Sequence, residues 1–223
     1  DLLHFRLKSN SIVPYRLPQR IHSAMFRPVF TPEEKSLIRR LTTPAKVQEF
    51  LIKEIAYDNQ DELDDQDETW RSFRRVVREK KAHCFEGALA AAAILMQHNY
   101  PPLIMCMEAR DIDHVLFVYR RNGKWGSVAK SRDDNLLFRE PGCRSLRDLV
   151  MSYYPFFYNL HTNDLTDLTL RGYAKVDLRF FERDWITTEE DLTFIEDHLY
   201  RIPYRKLFPR SNEDRFYFSP RNE

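Results

Sequence analysis

Lys80-Lys81-Ala82-His83-Cys84-Phe85-Glu86-Gly87-Ala88 runs without a break into the apolar segment Leu89-Ala90-Ala91-Ala92-Ala93-Ile94-Leu95-Met96. Alanine has the highest intrinsic helix propensity and no proline follows Cys84 until Pro101, so a helix is expected over about residues 83–98. Cys84 then stands at its start. The first-turn N–H groups of a helix have no internal partner, and the helix dipole is positive at that end. With Lys80, Lys81 and His83 beside it, a thiol in this place is biased toward thiolate, which is how a cysteine becomes a nucleophile. The competing reading is that of an ordinary free cysteine, a small buried hydrophobe.

Composition sets the outer bounds. A chain of 223 residues, 43% apolar and 13% aromatic, is long enough for one substantial core, so a single domain over 1–223 is expected. Its formal charge of +1 gives no general argument for nucleic acid, an anionic membrane or an acidic substrate. Cys84, Cys106 and Cys143 are odd in number and lack metal-ligand spacing, which fits a reducing, cytoplasmic setting and implies neither a disulfide framework nor a metal site. No cofactor motif is present. No segment reaches the roughly 18 apolar residues of a membrane span, so no membrane partner is expected.

Outward from the central stretch, residues 1–30 mix basic and apolar positions with Pro14, Pro18 and Pro28 and suit an extended arm. Thr31-Pro32-Glu33-Glu34 combines an N-cap, a first-turn proline and a capping-box glutamate, and Thr43-Pro44 repeats the cap, giving a helical segment over 31–57. Asp58 to Glu68 is an acidic run without the turn glycine of a calcium loop, hence a solvated loop. Trp70 to Lys81 reads as an amphipathic helix whose arginines pair with that acidic run. Beyond the alanine-rich helix come strands at Leu103–Met107, His114–Tyr119, Trp125–Ala129 and Leu136–Arg139, with Asn122-Gly123 as a hairpin turn and Cys143 in a loop. Helices are expected from Ser145 to near Pro155 and from Thr187 to before Pro203, with a tail over 209–223. Phe156, Phe157, Tyr158, Tyr173, Phe180, Phe181 and Trp185 either line a cleft or fill a core. The architecture implied is α+β, a nucleophile-bearing helix packed on an antiparallel sheet with further helices at both ends.

Thiol chemistry on amides or esters needs a base, a group that orients the base, and donors for a developing oxyanion. His114, at the start of a strand, is the candidate base. His83 is a rival, but adjacent residues point in different directions, so its ring is less suited to reach the Cys84 sulfur. The helix-start Cys84, strand-borne His114 and Asn122-Gly123-Lys124-Trp125 hairpin resemble the transglutaminase-like, papain-related cysteine superfamily. His83-Cys84-Phe85-Glu86-Gly87-Ala88, Asp113-His114-Val115, Trp125 to Ser131 and Arg139-Glu140-Pro141 are similar to a group of small uncharacterised transglutaminase-like proteins. The likeness covers roughly residues 69–205. It implies a papain/transglutaminase-like core, with Cys84 as nucleophile and His114 as base in a hydrolase or acyltransferase that works through a thioester, without a cofactor.

The third member departs from the superfamily pattern, which places an aspartate about where Ala129 or Lys130 stands; the smaller group carries asparagine where this chain has Arg132. Asp133 and Asp134 follow, and either could orient His114. The Cys84 amide is an oxyanion donor by position, with Trp70 as a candidate second donor or a core anchor. Glu86 fits capping or packing. The alternative to an enzyme of peptides, proteins or small amides and esters is an inactive relative whose cleft binds a peptide or protein. Nucleic-acid binding through the Arg71–Lys81 face is a third reading, disfavoured by the lack of any aromatic-basic sheet motif.

Overall fold

The computed structural model describes residues 28–59 and 69–208. The expected arm up to residue 27, most of the acidic run and the tail from residue 209 lie outside the described residues. Two capped helices come first. In α1 (Pro32–Arg40) Thr31 and Glu34 form a reciprocal capping box, and in α2 (Pro44–Lys53) Thr43 caps the first turn. A short strand β1 (Ala56–Tyr57) pairs in parallel with β2 (Lys81–Ala82), on either side of α3 (Phe73–Glu79). That pairing fixes the point where the chain enters α4 (Cys84–Met96).

The main sheet is antiparallel throughout, in the order β10-β9-β3-β4-β5-β6, with β3 Leu103–Ala109, β4 His114–Arg121, β5 Lys124–Val128, β6 Arg139–Cys143, β9 Leu170–Asp177 and β10 Arg205–Lys206. Along β4, Val115, Phe117 and Tyr119 join the core beneath α4, while Leu116 and Val118 join a second core on the opposite face. Burial on both faces explains why β4 reads as a near-continuous apolar run. Helix α4 is buried from Phe85 to Leu95, and its alanines let the helix backbone approach β4 closely. The second core is closed by α5 (Leu146–Met151), with Tyr153 just beyond it; a small hairpin, β7 (Tyr158–Asn159) and β8 (Asp164–Leu168), leads into β9. Asn122 and Gly123, with φ of 51° and 76°, form the predicted turn between β4 and β5.

Four expectations change. The strand expected at 136–139 is β6 at 139–143, because Asp133 caps a 3₁₀ turn over Asp134–Leu136 that keeps the chain out of the sheet until Arg139. Cys143 therefore sits in a strand opposite Trp125, not in a loop. Strand β9 had no local signal, since Arg171, Gly172 and Lys175 interrupt its pattern; pairing along the whole of β3 makes it a strand. The last helix, α6 (Thr193–Arg201), starts later than Thr187. Ser72 Oγ donates to the Thr188 carbonyl at 2.6 Å and Arg74 Nη1 to the Thr187 carbonyl at 2.9 Å, which hold that segment against α3.

The basic face of α3 also finds partners beyond the acidic run, most of which lies outside the described residues. Arg74 meets Glu34, Arg75 meets Glu79 and Asp191, and Arg78 meets Glu79 and Glu189. Of the acidic run, Asp58 takes part, with Arg71. Among the described residues no helix is long and apolar enough to cross a membrane.

Helix α2 is locked onto the sheet by two polar clasps. The Gln48 amide donates to the Ala129 carbonyl at 2.8 Å and accepts from the Ala129 N–H at 2.9 Å. Lys130, buried so that its ammonium pKa is lowered, donates from Nζ to the Leu51 and Ile55 carbonyls at 2.8 and 2.6 Å. Gly87 makes room for the Lys130 stem: a Cβ there would stand 2.4 Å from Lys130 Cβ. Gly87→Ala should cost about 1–3 kcal/mol by overpacking despite alanine's better helix propensity. A chemical-denaturation midpoint equal to or above wild type would contradict this.

Candidate functional site

Cys84 is the first residue of α4, and His83 is its N-cap in extended conformation. Glu86, three residues on and fully buried, holds the helix start together. It accepts from the His83 N–H at 3.1 Å, the Arg71 N–H at 2.7 Å and Thr69 Oγ1 at 2.9 Å, and forms an ion pair with the Arg71 guanidinium at 3.1 Å. Arg71 also meets Asp58 and Glu79, and these partners raise its pKa against the cost of burial. Charges this deep persist only when paired.

His83 Nε2 donates to the Thr69 carbonyl at 2.9 Å and stands 3.6 Å from Glu86 Oε1. A carbonyl only accepts, so Nε2 carries a proton. Burial opposes charging of this ring, but its bond to Cys84 and the Glu86 charge outweigh that cost and raise its pKa to about 9. The ring therefore bears on the thiol's charge, more than the expectation from adjacent positions allowed. The extended N-cap turns His83 back beside the helix it precedes.

His114 is buried at the start of β4, opposite Met107. Its Nε2 donates to the Leu136 carbonyl at 3.0 Å, so in the neutral ring the basic nitrogen is Nδ1, free to meet Cys84. Burial alone would raise the Cys84 pKa. Hydrogen bonds from His114 and His83, reinforced by their charges, pull it well below the ordinary thiol value. Burial instead pushes Cys106 and Cys143 up. The expected lysines do not act here: Lys80 is a left-handed helix cap with Nζ 5.8 Å from the Phe50 ring, and Lys81 is exposed.

The group that meets the far nitrogen of His114 is thus a backbone carbonyl, not a carboxylate. Asp133 spends its side chain on the N–H and Nδ2 of Asn135, at 2.8 and 3.0 Å, and Asp134 is exposed. Both carboxylates are drawn into or away from the turn whose last residue supplies the carbonyl. Three consecutive carbonyls of this strap are held: Asn135 by Arg139 Nη2 at 2.7 Å, Leu136 by His114, and Leu137 by the Tyr153 hydroxyl at 2.6 Å. Tyr153 is itself buried, 2.6 Å from Ser127 Oγ, with Arg139 over its ring. Trp70 is not among the residues lining the site. It packs against the core and its carbonyl accepts from the Leu192 N–H.

Cys84 and His114 open into a cleft of about 160 Å³. Tyr57, Phe156, Phe157 and Tyr158 give it aromatic walls, and Asp111, Asp113 and Arg132 add charge. Of the remaining aromatics, Tyr173 and Trp185 are core residues and Phe180 is exposed beside His198. Burial pushes the Asp113 carboxyl up to about 7, against the bond it accepts from the Ala109 N–H at 2.9 Å. A hollow of about 280 Å³ between Arg183 and Phe194 shares no residue with this cleft and carries no thiol or imidazole. Among the described residues, no group of three or more histidines, cysteines or carboxylates is placed to hold a metal ion.

No protein family matches the chain, and no curated protein is similar to it at a significant level. Of the site's supports, Glu86 was readable from its capping-box spacing after His83. Arg71, thirteen residues before Cys84, has no local signature, and the Leu136 carbonyl has none in any sequence.

Proposed function

We propose that the protein is a cysteine-dependent hydrolase or acyltransferase with a papain/transglutaminase-like core, acting on an amide or ester of a peptide, a protein or a small molecule. The observation that carries this reading is the cleft shared by Cys84 and the His114 ring, whose Nε2 is tied to the Leu136 carbonyl and which lowers the pKa of the thiol. That tie holds the tautomer with Nδ1 toward the sulfur, the task an orienting side chain performs in a triad. The thiolate attacks the acyl carbon, and the developing oxyanion lies near the Cys84 N–H in the unpaired first turn of α4. His114 gives its proton to the departing amine or alcohol, then takes one from water or an acceptor amine as the thioester is cleaved. A carbonyl stabilises the imidazolium less than a carboxylate does, a loss that a thiolate nucleophile tolerates because it needs no proton removed at the moment of attack.

The missing carboxylate also supports a second reading, a cleft of the same build that binds a peptide without turnover. Iodoacetamide at about pH 6, with peptide mass spectrometry of the folded protein, tests for the activated thiol: Cys84 should be labelled far faster than Cys106 or Cys143. Labelling no faster than at Cys143 removes the basis for the enzyme reading. A p-nitrophenyl ester then separates the two readings, because an enzyme acylates Cys84 and releases the acid repeatedly, whereas a binding cleft gives at most one stable adduct.

A further inference from the structure

We infer that His83 is a second catalytic imidazole, the standing counter-ion of the Cys84 thiolate, while His114 carries the mobile proton. This rests on the acyl-transfer reading above and divides between two rings what one ring does in a simple dyad.

The argument begins with what surrounds each ring. Both rings lower the pKa of the thiol, from opposite directions in the chain: His83 from the N-cap of α4 beside Cys84, and His114 from the start of β4, where it lines the cleft with Cys84. The groups facing His83 favour a fixed positive charge. Its Nε2–H is held by the Thr69 carbonyl, and Glu86 is 3.6 Å away. Asp58, Glu79 and Glu86 all converge on Arg71, so three carboxylates share that guanidinium; Glu79 has further relief from Arg75 and Arg78, and Glu86 does not. A cation on His83 completes the balance at Glu86, and its raised pKa agrees with that. His114 has a different setting. Its Nε2 has a carbonyl as partner, and the nearest acidic neighbour in sequence, Asp113, turns an oxygen to the Ala109 N–H and is itself held toward the neutral form by burial. His83 has a carboxylate at 3.6 Å to match a positive charge, whereas the partner of His114 is a neutral carbonyl.

The proton count closes. At rest the sulfur is a thiolate, and both rings carry a proton beyond the neutral form. Attack forms the S–C bond and places the carbonyl π pair on oxygen. Collapse expels the leaving group, which takes the Nδ1 proton of His114 and departs as amine or alcohol. Water then adds to the thioester carbon while His114 takes its proton, the C–S bond breaks, and the acid leaves. The sulfur departs as thiolate directly against the His83 cation, so His83 lowers the barrier for the second half-reaction without exchanging a proton.

Iodoacetamide rates at Cys84 across pH 5–10.5 test this in wild type, His83→Gln and His114→Gln. His83→Gln should slow labelling about tenfold or more at pH 6 and converge on wild type toward pH 10, as the Cys84 thiol left with His114 ionises; a displaced helix would not converge. His114→Gln should slow labelling at pH 6 less than His83→Gln does. A His83→Gln profile that superimposes on wild type overturns the inference and leaves His114 as the counter-ion, with the acyl-transfer reading intact. If wild-type Cys84 is itself no more reactive than Cys143, that earlier reading fails instead. Should His83→Gln not fold, ¹⁵N NMR of the wild-type histidine rings decides: His83 should remain protonated at pH 8 and titrate lower in Cys84→Ala, and a neutral His83 at pH 7 overturns the proposal.

Discussion

Arg71→Met lowers the stability of the fold by about 3–5 kcal/mol, read as a fall in the urea midpoint at unchanged slope. The magnitude follows from what is left behind, since removing one partner of a buried pair strands the other's charge. Glu86 is fully buried, and the Arg71 side chain is 9% exposed. Glu86 would keep the backbone N–H groups of residues 71 and 83 and the Thr69 hydroxyl but lose the guanidinium. Adding Glu86→Leu to Arg71→Met should restore part of the loss, because the most deeply buried of the stranded charges is then gone, while Asp58 still lacks its Arg71 partner and His83 its Glu86 neighbour. A single-variant cost under about 1 kcal/mol would mean that water reaches Glu86 and that the cluster is not a dry support for His83.

His114→Asn should slow turnover of a p-nitrophenyl ester by about 10²–10⁴-fold in kcat, the usual contribution of a positioned acid–base group. The expected loss is chiefly in kcat, since the ring's task is to exchange the proton. Asp134→Ala should leave turnover unchanged, and Asp133→Ala should reduce it modestly through the loosened 3₁₀ turn under the Leu136 carbonyl. If either aspartate variant matches the His114 loss, its carboxylate is the true orienter, and the carbonyl bond is incidental.

The parts of this arrangement that sequence revealed are those whose cause is local. Thr31, Thr43 and Ser145 cap helices through side chains within three residues, and Asn122-Gly123 turns a hairpin through its own backbone freedom. Cys84 at a helix start follows from the alanine run after it. Its two imidazoles divide along the same line. The pairing with His114 was expected from the resemblance to the transglutaminase-like superfamily, with a helix packed across a sheet able to bring the two together. His83 was misjudged because its orientation depends on an extended N-cap and on Thr69, fourteen residues earlier. The orienting carbonyl had no residue type to announce it. Leu136 is an ordinary leucine whose side chain does nothing for His114; Asp133, Arg139 and Tyr153 make its backbone significant. Strand β9 stayed hidden for a related reason, since its cause is β3, about seventy residues away along the register.

The clasp between α2 and the end of β5 bears on the order in which this molecule becomes itself during synthesis. The Leu51 carbonyl of α2 and the Ile55 carbonyl just beyond it wait for Lys130, and Gln48 waits for Ala129, across separations of 75 to 81 residues. Helix α4 and its thiol leave the ribosome long before either, His114 emerges between them, and the Leu136 strap follows last. Closing such distant contacts is slow compared with helix formation. The nascent chain therefore passes through a period in which Cys84 has its helix and His83 but neither His114 nor a closed cleft. On that timetable the thiol gains the ring that moves protons only as the sheet is completed, so acyl chemistry is withheld until the fold that confines it exists.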